Sequence, residues 1–392
     1  MSVPLLPRTR NGAFCVLDVT KWFGATSGGV RTYLQEKSAY VRSRPELRHV
    51  VVVPGERNEV EDGPGARRYR LRGPLIPAHA PYRLLLAPAA LDRIVAHERP
   101  DVVEVGSPFL VPWIAARAAS RAGAALVAFY HASVPGWFGV AAPPTVRPIA
   151  ERVGRAYLRR LVRLFRLVVV ASEFAGRDVQ EAGFREIARI PLGVDLERFH
   201  PRRRADAERT RRALGLAEGP VAVFAGRIAA DKHLPVLLRA WPLVERETDA
   251  TLVLAGAGPE APALRAACRA RRGRWLGHLG DRDALAEVLA AADLYVSPSP
   301  VETFGHAPLE ALACGTPVLS ADRGAVPELV AGSGAGGLFR AGEHEDLAAR
   351  AVALLRAGGG ADGHAARAHV ERNHAWPVVF DRLVAAYRRI AR

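Results

Sequence analysis

Glu302 and Glu310, separated by seven residues in the stretch Pro298-Ser299-Pro300-Val301-Glu302-Thr303-Phe304-Gly305-His306-Ala307-Pro308-Leu309-Glu310, are the residues whose type and spacing most strongly suggest chemistry. The first follows the strand-like run Asp293–Ser297, and the second lies about one turn into a helix expected to open near Gly305. Two carboxylates therefore bracket a helix N-terminus. Such a terminus offers free backbone N–H groups and partial positive charge to a phosphate, while a neighbouring carboxylate suits a pair of sugar or ribose hydroxyls. The layout is that of a sugar-nucleotide site.

A second group supplies cations. After the apolar run Val221–Ala225 comes Gly226-Arg227-Ile228-Ala229-Ala230-Asp231-Lys232, in which Arg227 and Lys232 can converge on one anion. A guanidinium fork and a compact ammonium together suit a diphosphate, although surface salt bridging would use the same residues. Near the N-terminus, Ser27-Gly28-Gly29-Val30-Arg31 opens a helix where glycine lets the backbone approach a ligand, or simply makes a tight turn. His131 ends the strand-like run Ala125–Tyr130, at the carboxyl edge where doubly wound sheets bind ligands. Beyond it, Val134-Pro135-Gly136-Trp137-Phe138-Gly139 is expected to be a loop presenting two aromatics to an acceptor, to lipid or to a neighbouring loop. Gly256-Ala257-Gly258-Pro259 lacks the third glycine of a dinucleotide fingerprint. Asp281-Arg282-Asp283 has the spacing of a metal-binding Asp-x-Asp, but it precedes a helical run and fits a capped first turn. No His/Cys cluster offers a metal site, so neither metal nor cofactor is expected.

Positioning these residues requires an alternation of short apolar runs and helical patterns, the mark of parallel sheets covered on both faces. Strands are predicted at 14–19, 50–53, 102–105, 125–130 and 167–171, then at 221–225, 251–255, 274–276, 294–297 and 317–320. The fold class is α/β, with two doubly wound sheets. The 392-residue length also favours two domains, and Pro191 to Pro220 has the composition of a connection. The expected domains are 1–194 and 195–375, followed by an amphipathic helix at 376–392. Cys15, Cys268 and Cys314 lack metal or redox spacing and are expected to be small core residues in a reducing compartment. No secretory signal is visible, and the prolines and glycines of the uncharged stretch 122–146 argue against a spanning helix.

The formal net charge of +15 is uneven: residues 1–200 hold 29 Lys and Arg against 18 Asp and Glu. Its densest basic element is Arg152, Arg155, Arg159, Arg160, Arg163 and Arg166, expected mostly on the helical face opposite Val153, Tyr157, Leu161 and Leu164. A solvated face or an anionic membrane surface would explain it. Nucleic acid would not, because no base-stacking aromatic series accompanies the charge.

Taken together, Ser27-Gly28-Gly29-Val30, His131, Ile190-Pro191-Leu192-Gly193-Val194-Asp195, Gly226-Arg227 with Lys232, Glu302 through Glu310 and Ala313-Cys314-Gly315-Thr316-Pro317-Val318 resemble the retaining glycosyltransferases of family 4. The likeness runs over essentially the whole chain and implies the GT-B fold, two Rossmann-like domains facing a cleft. It implies a nucleotide-sugar donor on the C-terminal domain and a glycan or glycolipid acceptor on the N-terminal one. Arg227 and Lys232 would neutralise the leaving diphosphate, helped by amides of Gly29 and of Phe304, Gly305 and His306. Glu310 would hold the ribose, Glu302 would position the donor sugar, and His131 would lie beside that sugar. A phosphate oxygen would take the acceptor's proton, since the acid and nucleophile pair of a retaining glycosidase has no counterpart. A mannosyl or glucosyl donor and a cytoplasmic protein peripheral to the inner membrane face are expected. The rival readings are a sugar-nucleotide epimerase or hydrolase and a noncatalytic sugar-nucleotide-binding protein. Two departures from the family pattern are His306, where an apolar residue is more usual, and Gly324-Ala325, where Gly-Gly is common.

Overall fold

The structure is a computed structural model that describes residues 3–8, 12–24, 29–76, 82–140, 142–143, 145–216, 218–269, 273–358 and 363–391. The chain divides into two compact units, Met1–Leu192 with Trp376–Arg392 and Gly193–Ala375.

The first unit holds eight strands: β1 Phe14–Val19, β2 Leu47–Gly55, β3 Glu59–Gly63, β4 Ala66–Arg72, β5 Val102–Val105, β6 Ala125–Tyr130, β7 Leu167–Val170 and β8 Ile187–Arg189. Their order is β3-β4-β2-β1-β5-β6-β7-β8, parallel except for the β3–β4 pair. Leu17, Val50, Val103 and Val168 share one face and cluster with helix residues Ile94, Ala115 and Leu158, and Val16, Val51, Val102 and Val169 on the opposite face are buried as well. That is why the central strands read as unbroken apolar runs. Strands β3 and β4 carry so much charge that apolar patterning misses them. In β4, however, Arg67, Tyr69 and Leu71 alternate inward, and the buried Arg67 guanidinium is satisfied by Asp62 at 2.9 Å and Glu98 at 2.9 Å.

β2 is longer than the predicted 50–53 for a related reason: its polar residues are buried with partners. Arg48 pairs with Glu98, and His49 shares a 2.5 Å hydrogen bond with Asp18. Lys37, from the helix Gly29–Arg42, completes this buried cage with 2.9 Å to Asp18 and 3.2 Å to Glu104. Burial, then Lys37, holds the His49 imidazole well below its usual pKa, so it is neutral at physiological pH. The helix Trp376–Ile390 belongs to this unit. Its Asp381 accepts from Tyr40 at 2.5 Å, and Tyr387 receives Lys37 Nζ at 3.4 Å.

The second unit is a six-stranded, all-parallel sheet of β9 Val221–Ala225, β10 Thr251–Ala255, β11 Gly273–Gly277, β12 Leu294–Ser297, β13 Val318–Ala321 and β14 Gly336–Phe339. Its order, β11-β10-β9-β12-β13-β14, reverses direction between β9 and β12. Ligands of open α/β sheets lie outside the carboxyl ends of the strands at such a reversal, where the two adjoining loops diverge and leave a crevice. The loop after β9 and the loop after β12 are the two motifs that carry Arg227, Lys232 and Glu302. Cys15, Cys268 and Cys314 are all buried thiols, and burial pushes Cys15 and Cys314 up to about 12.

Candidate active site

The loop after β9 is shaped by backbone contacts. Gly226 N–H donates to Ala255 O at 2.9 Å, and Ile228 N–H donates to Ala257 O at 2.9 Å. The Gly256-Ala257-Gly258 segment supports this loop: a Cβ at Gly258 would sit 2.1 Å from Ile228 O. Close backbone approach therefore accounts for those glycines. A short 3-10 turn, Ala230–Lys232, then swings Lys232 toward the neighbouring loop, which Ser299 fastens by donating to Asp231 O at 2.6 Å.

Lys232 Nζ meets Glu302 Oε2 at 2.5 Å, with only 17% and 23% of the two side chains exposed. Burial disfavours the ammonium, but Glu302 and then Asp231 outweigh it and hold Lys232 above the usual lysine value. Burial likewise opposes the Glu302 carboxylate, and Lys232 reverses this to hold Glu302 below its usual value. Arg227 is more exposed and pairs with Asp231 at 2.8 Å, leaving its guanidinium reachable from solvent.

Glu302 is also held from behind. Ala325 N–H donates to Glu302 O at 2.8 Å. Gly324, at φ +92°, lets its chain pass so close that a Cβ would lie 3.2 Å from that same oxygen. Ala325 has an ordinary helical backbone, φ −91° and ψ −20°, so nothing at this position requires the glycine common in the family.

The helix His306–Ala313 opens at Gly305, whose φ of +97° suits glycine and whose Cβ would meet Val326 Cγ2 at 2.9 Å. Phe304 is buried and places its ring 5.4 Å from His306 and 6.0 Å from His374. His306 lies at the helix start, where burial, then Arg282, pushes its imidazole down to about 4. It is thus a neutral polar group beside Glu302. Glu310, one turn on, is 3% exposed and pairs with Arg282 at 2.5 Å. Burial raises the Glu310 pKa despite Arg282.

Arg282 is the residue that sequence reasoning passed over. It sits in a segment read only as a helix cap, and Asp281 is indeed that cap, accepting from Asp283 N–H at 2.9 Å. Asp283 is engaged by Arg203 at 2.5 Å. Arg282, between those carboxylates, turns to Glu310 and stacks 5.0 Å over Phe199. Asp231, present in the motif but given no role, proves to be the shared partner of both cations. The Arg282–Glu310 pairing has no local signal, because the two residues are 28 positions apart, whereas Arg227 and Asp231 form an i,i+4 pair within the loop itself.

Gly29 and His131 lie in the first unit, and Gly28 lies outside the described residues. Gly29 begins the helix Gly29–Arg42. His131 follows β6 and stacks on Phe129 with ring centroids 4.3 Å apart and planes at 7°. The expected loop at 134–139 is instead the helix Val134–Val140. Ser133 Oγ caps it by accepting from Gly136 N–H at 3.0 Å, and Tyr130 OH accepts from Val134 N–H at 2.7 Å. Trp137 is 44% exposed on this helix. Val153, expected on the packed face of the arginine-rich helix Arg147–Val162, is 52% exposed, and Gly154 takes the buried position. A Cβ at Gly154 would lie 2.9 Å from Pro135 Cα, so helix-to-helix contact selects that face.

Residues 219–357 match the model of the glycosyl transferases group 1, and residues 27–198 match that of glycosyltransferase family 4. A GDP-mannose-dependent alpha-(1-6)-phosphatidylinositol dimannoside mannosyltransferase of Mycobacterium tuberculosis is 32% identical, over 82% of this chain and 83% of the relative. A GDP-mannose-dependent alpha-mannosyltransferase of the same species is 30% identical, over 86% and 85%. Among solved structures, sucrose-phosphate synthase from Thermosynechococcus elongatus superposes with a TM-score of 0.78 at 20% identity, over 96% of this chain and 99% of that one. Anabaena HepE in complex with UDP-glucose gives 0.70 at 21%, over 96% and 98%. Two Rossmann-like units, a cationic loop and a carboxylate pair at the switch point of the second, and a relative of this identity and coverage place the chain in family 4 of the glycosyltransferases, retaining GT-B enzymes that move a hexosyl group from a nucleotide-sugar donor.

Proposed function

We propose that the chain transfers a mannosyl group from GDP-mannose to a phosphoinositol-containing glycolipid. The observation that carries the donor site is the convergence, at the β9/β12 reversal, of Arg227 and Lys232 with Glu302, one helix opening away from Glu310. The choice of mannose and of a phosphatidylinositol mannoside acceptor is supported by the GDP-mannose-dependent relatives.

In this reading Glu310 accepts the ribose hydroxyls with Arg282 balancing its charge. Arg227 and Lys232 exchange Asp231 and Glu302 for the diphosphate oxygens. Lys232 is released from Glu302 as the leaving group arrives, which frees that carboxylate to accept hydroxyls of the transferred sugar. The amides at Phe304, Gly305 and His306 and the partial positive charge of the helix start add to the anion's stabilisation. A phosphate oxygen takes the acceptor's proton, and the cations do the electrostatic work without a divalent ion. The first unit, with Gly29 and His131 at its carboxyl edge, receives the acceptor.

The same reading places the protein at an anionic membrane surface. Val146, Ile149 and Val153 are 43%, 60% and 52% exposed at helical spacing, and Arg152, Arg159, Arg160 and Arg163 are exposed around them. An apolar stripe bordered by guanidinium groups suits the boundary between headgroups and acyl chains. Among the described residues, no helix is long and apolar enough to cross a membrane.

Calorimetric titration with GDP-mannose and UDP-glucose, followed by product analysis with phosphatidylinositol mannosides, tests the function. Binding of GDP-mannose with transfer to the glycolipid at retained anomeric configuration is expected. Preferential binding of UDP-glucose, or an inverted product, would overturn it.

A further inference from the structure

The first unit also has a point of reversal. Its strands run outward from β1 through β2 and β4 on one side and through β5, β6, β7 and β8 on the other, so the order turns between β1 and β5. The crevice expected there is bordered by Thr20-Lys21-Trp22 after β1 and Gly106-Ser107-Pro108-Phe109-Leu110 after β5. The two loops are tied together. Thr20 Oγ1 and Ser107 Oγ are 2.9 Å apart, and Ser107 Oγ accepts from Lys21 N–H at 2.9 Å.

Lysine is rare in this chain, where 52 of the 55 basic residues are arginine. Lys37 is caged by Asp18 and Glu104, and Lys232 is paired with Glu302. Lys21 is the third. Among the described residues it has no carboxylate partner, and its ammonium instead lies 4.5 Å from the Trp22 ring centre and 5.5 Å from that of Phe109. Half-burial lowers its pKa below the usual lysine range, as expected of a cation that has lost water without gaining an anion.

The surrounding wall is aromatic. Trp22 meets Tyr82 edge-on at 5.2 Å and lies 6.0 Å from Trp137, which is itself 5.7 Å from Phe109. Phe109 is presented by a rare γ-turn: Leu110 sits at φ +59° and ψ −54°, with Val111 N–H donating to Phe109 O at 2.7 Å. His131 borders the same crevice, since a Cβ on Gly106 would lie 3.4 Å from both its Nε2 and Thr20 Oγ1.

We infer that Lys21, Trp22 and Phe109 form an acceptor subsite for a polyhydroxylated ring bearing a phosphoester. The ring's C–H face would lie on the aromatic wall and a phosphate oxygen on the Lys21 ammonium. The aromatic faces account for the hydroxylated ring, and a cation with no carboxylate partner among the described residues accounts for the phosphate. The assignment rests on the transferase reading and extends it to the chemistry of the acceptor.

The test is calorimetric titration of glycerophosphoinositol, a soluble phosphodiester, and of free inositol into the wild-type protein, Lys21→Gln and Lys21→Arg. GDP-mannose affinity, measured on each preparation, reports folding. Lys21→Gln should weaken glycerophosphoinositol binding by about tenfold or more, with donor affinity unchanged and Lys21→Arg partly restored. Equal binding of glycerophosphoinositol by wild type and Lys21→Gln, or no preference of the wild type for it over inositol, would overturn the subsite. An effect of Lys21→Gln seen only with lipid in anionic vesicles would also overturn it, by showing a general surface contact. Failure of the transferase reading would appear separately, as wild-type protein that binds these probes yet forms no glycosylated product.

Discussion

Replacing Lys232 by Met separates its ion pair with Glu302 from its proposed role in stabilising the leaving diphosphate. At 2.5 Å from Glu302, and at an effective dielectric of about 20, their attraction is worth about 7 kcal/mol before desolvation is subtracted. Removing one partner of a buried pair typically costs about 3–5 kcal/mol. Residual exposure of 17% and 23% brings the expected loss for Lys232→Met to about 2–3 kcal/mol. Glu302→Gln should cost less, about 1 kcal/mol, because Lys232 keeps Asp231 at 3.6 Å. The double variant should be more stable than Lys232→Met alone, since no unpaired carboxylate remains. Chemical denaturation of the four proteins gives the coupling. Turnover should follow a different pattern. Lys232→Met should lower kcat by at least about a hundredfold through loss of leaving-group stabilisation, and the double variant should recover stability without recovering kcat. Return of kcat in the double variant to within about tenfold of wild type would refute the reasoning, by showing that Lys232 serves only to neutralise Glu302.

Glu310→Gln should hold or raise stability at pH 7 while weakening donor binding about tenfold or more. Its folded pKa is raised, so ionisation costs stability as pH climbs from the unfolded value through the folded one. The variant's advantage should therefore fade in acid, and a Tm deficit at pH 7 that disappears above it would contradict this sign. In sedimentation with anionic vesicles at low salt, Ile149→Ser with Val153→Ser should reduce binding several-fold, and retention of full binding would remove that face from the membrane contact.

The local features of the site are legible because they rest on short-range physics. The parallel-sheet strands at 14–19, 102–105, 125–130, 221–225, 251–255 and 294–297 match the observed elements, since burial on both faces leaves a continuous apolar run. Strands β3 and β4 are hidden because their stability comes from pairing Arg67 with Asp62 and Glu98, contacts that apolar patterning does not register. The helix at Val134–Val140 is hidden because its caps are the Ser133 hydroxyl and the phenol of Tyr130, while Pro135 and Gly136 read as a turn.

By itself the sequence determined which residue types are present for the chemistry: two carboxylates about a helix start, an arginine and a lysine after a strand, a histidine at a sheet edge. Tertiary structure decided their partners. Strand order brings Lys232 to Glu302 across 70 positions and Arg282 to Glu310 across 28, and it leaves Lys21 against indole and phenyl rings. The physical reason is range. Backbone propensity, periodicity and glycine geometry act over a few residues and can be read along the chain. The ionisation and availability of a buried charge depend on what the folded sheet places within a few ångströms of it.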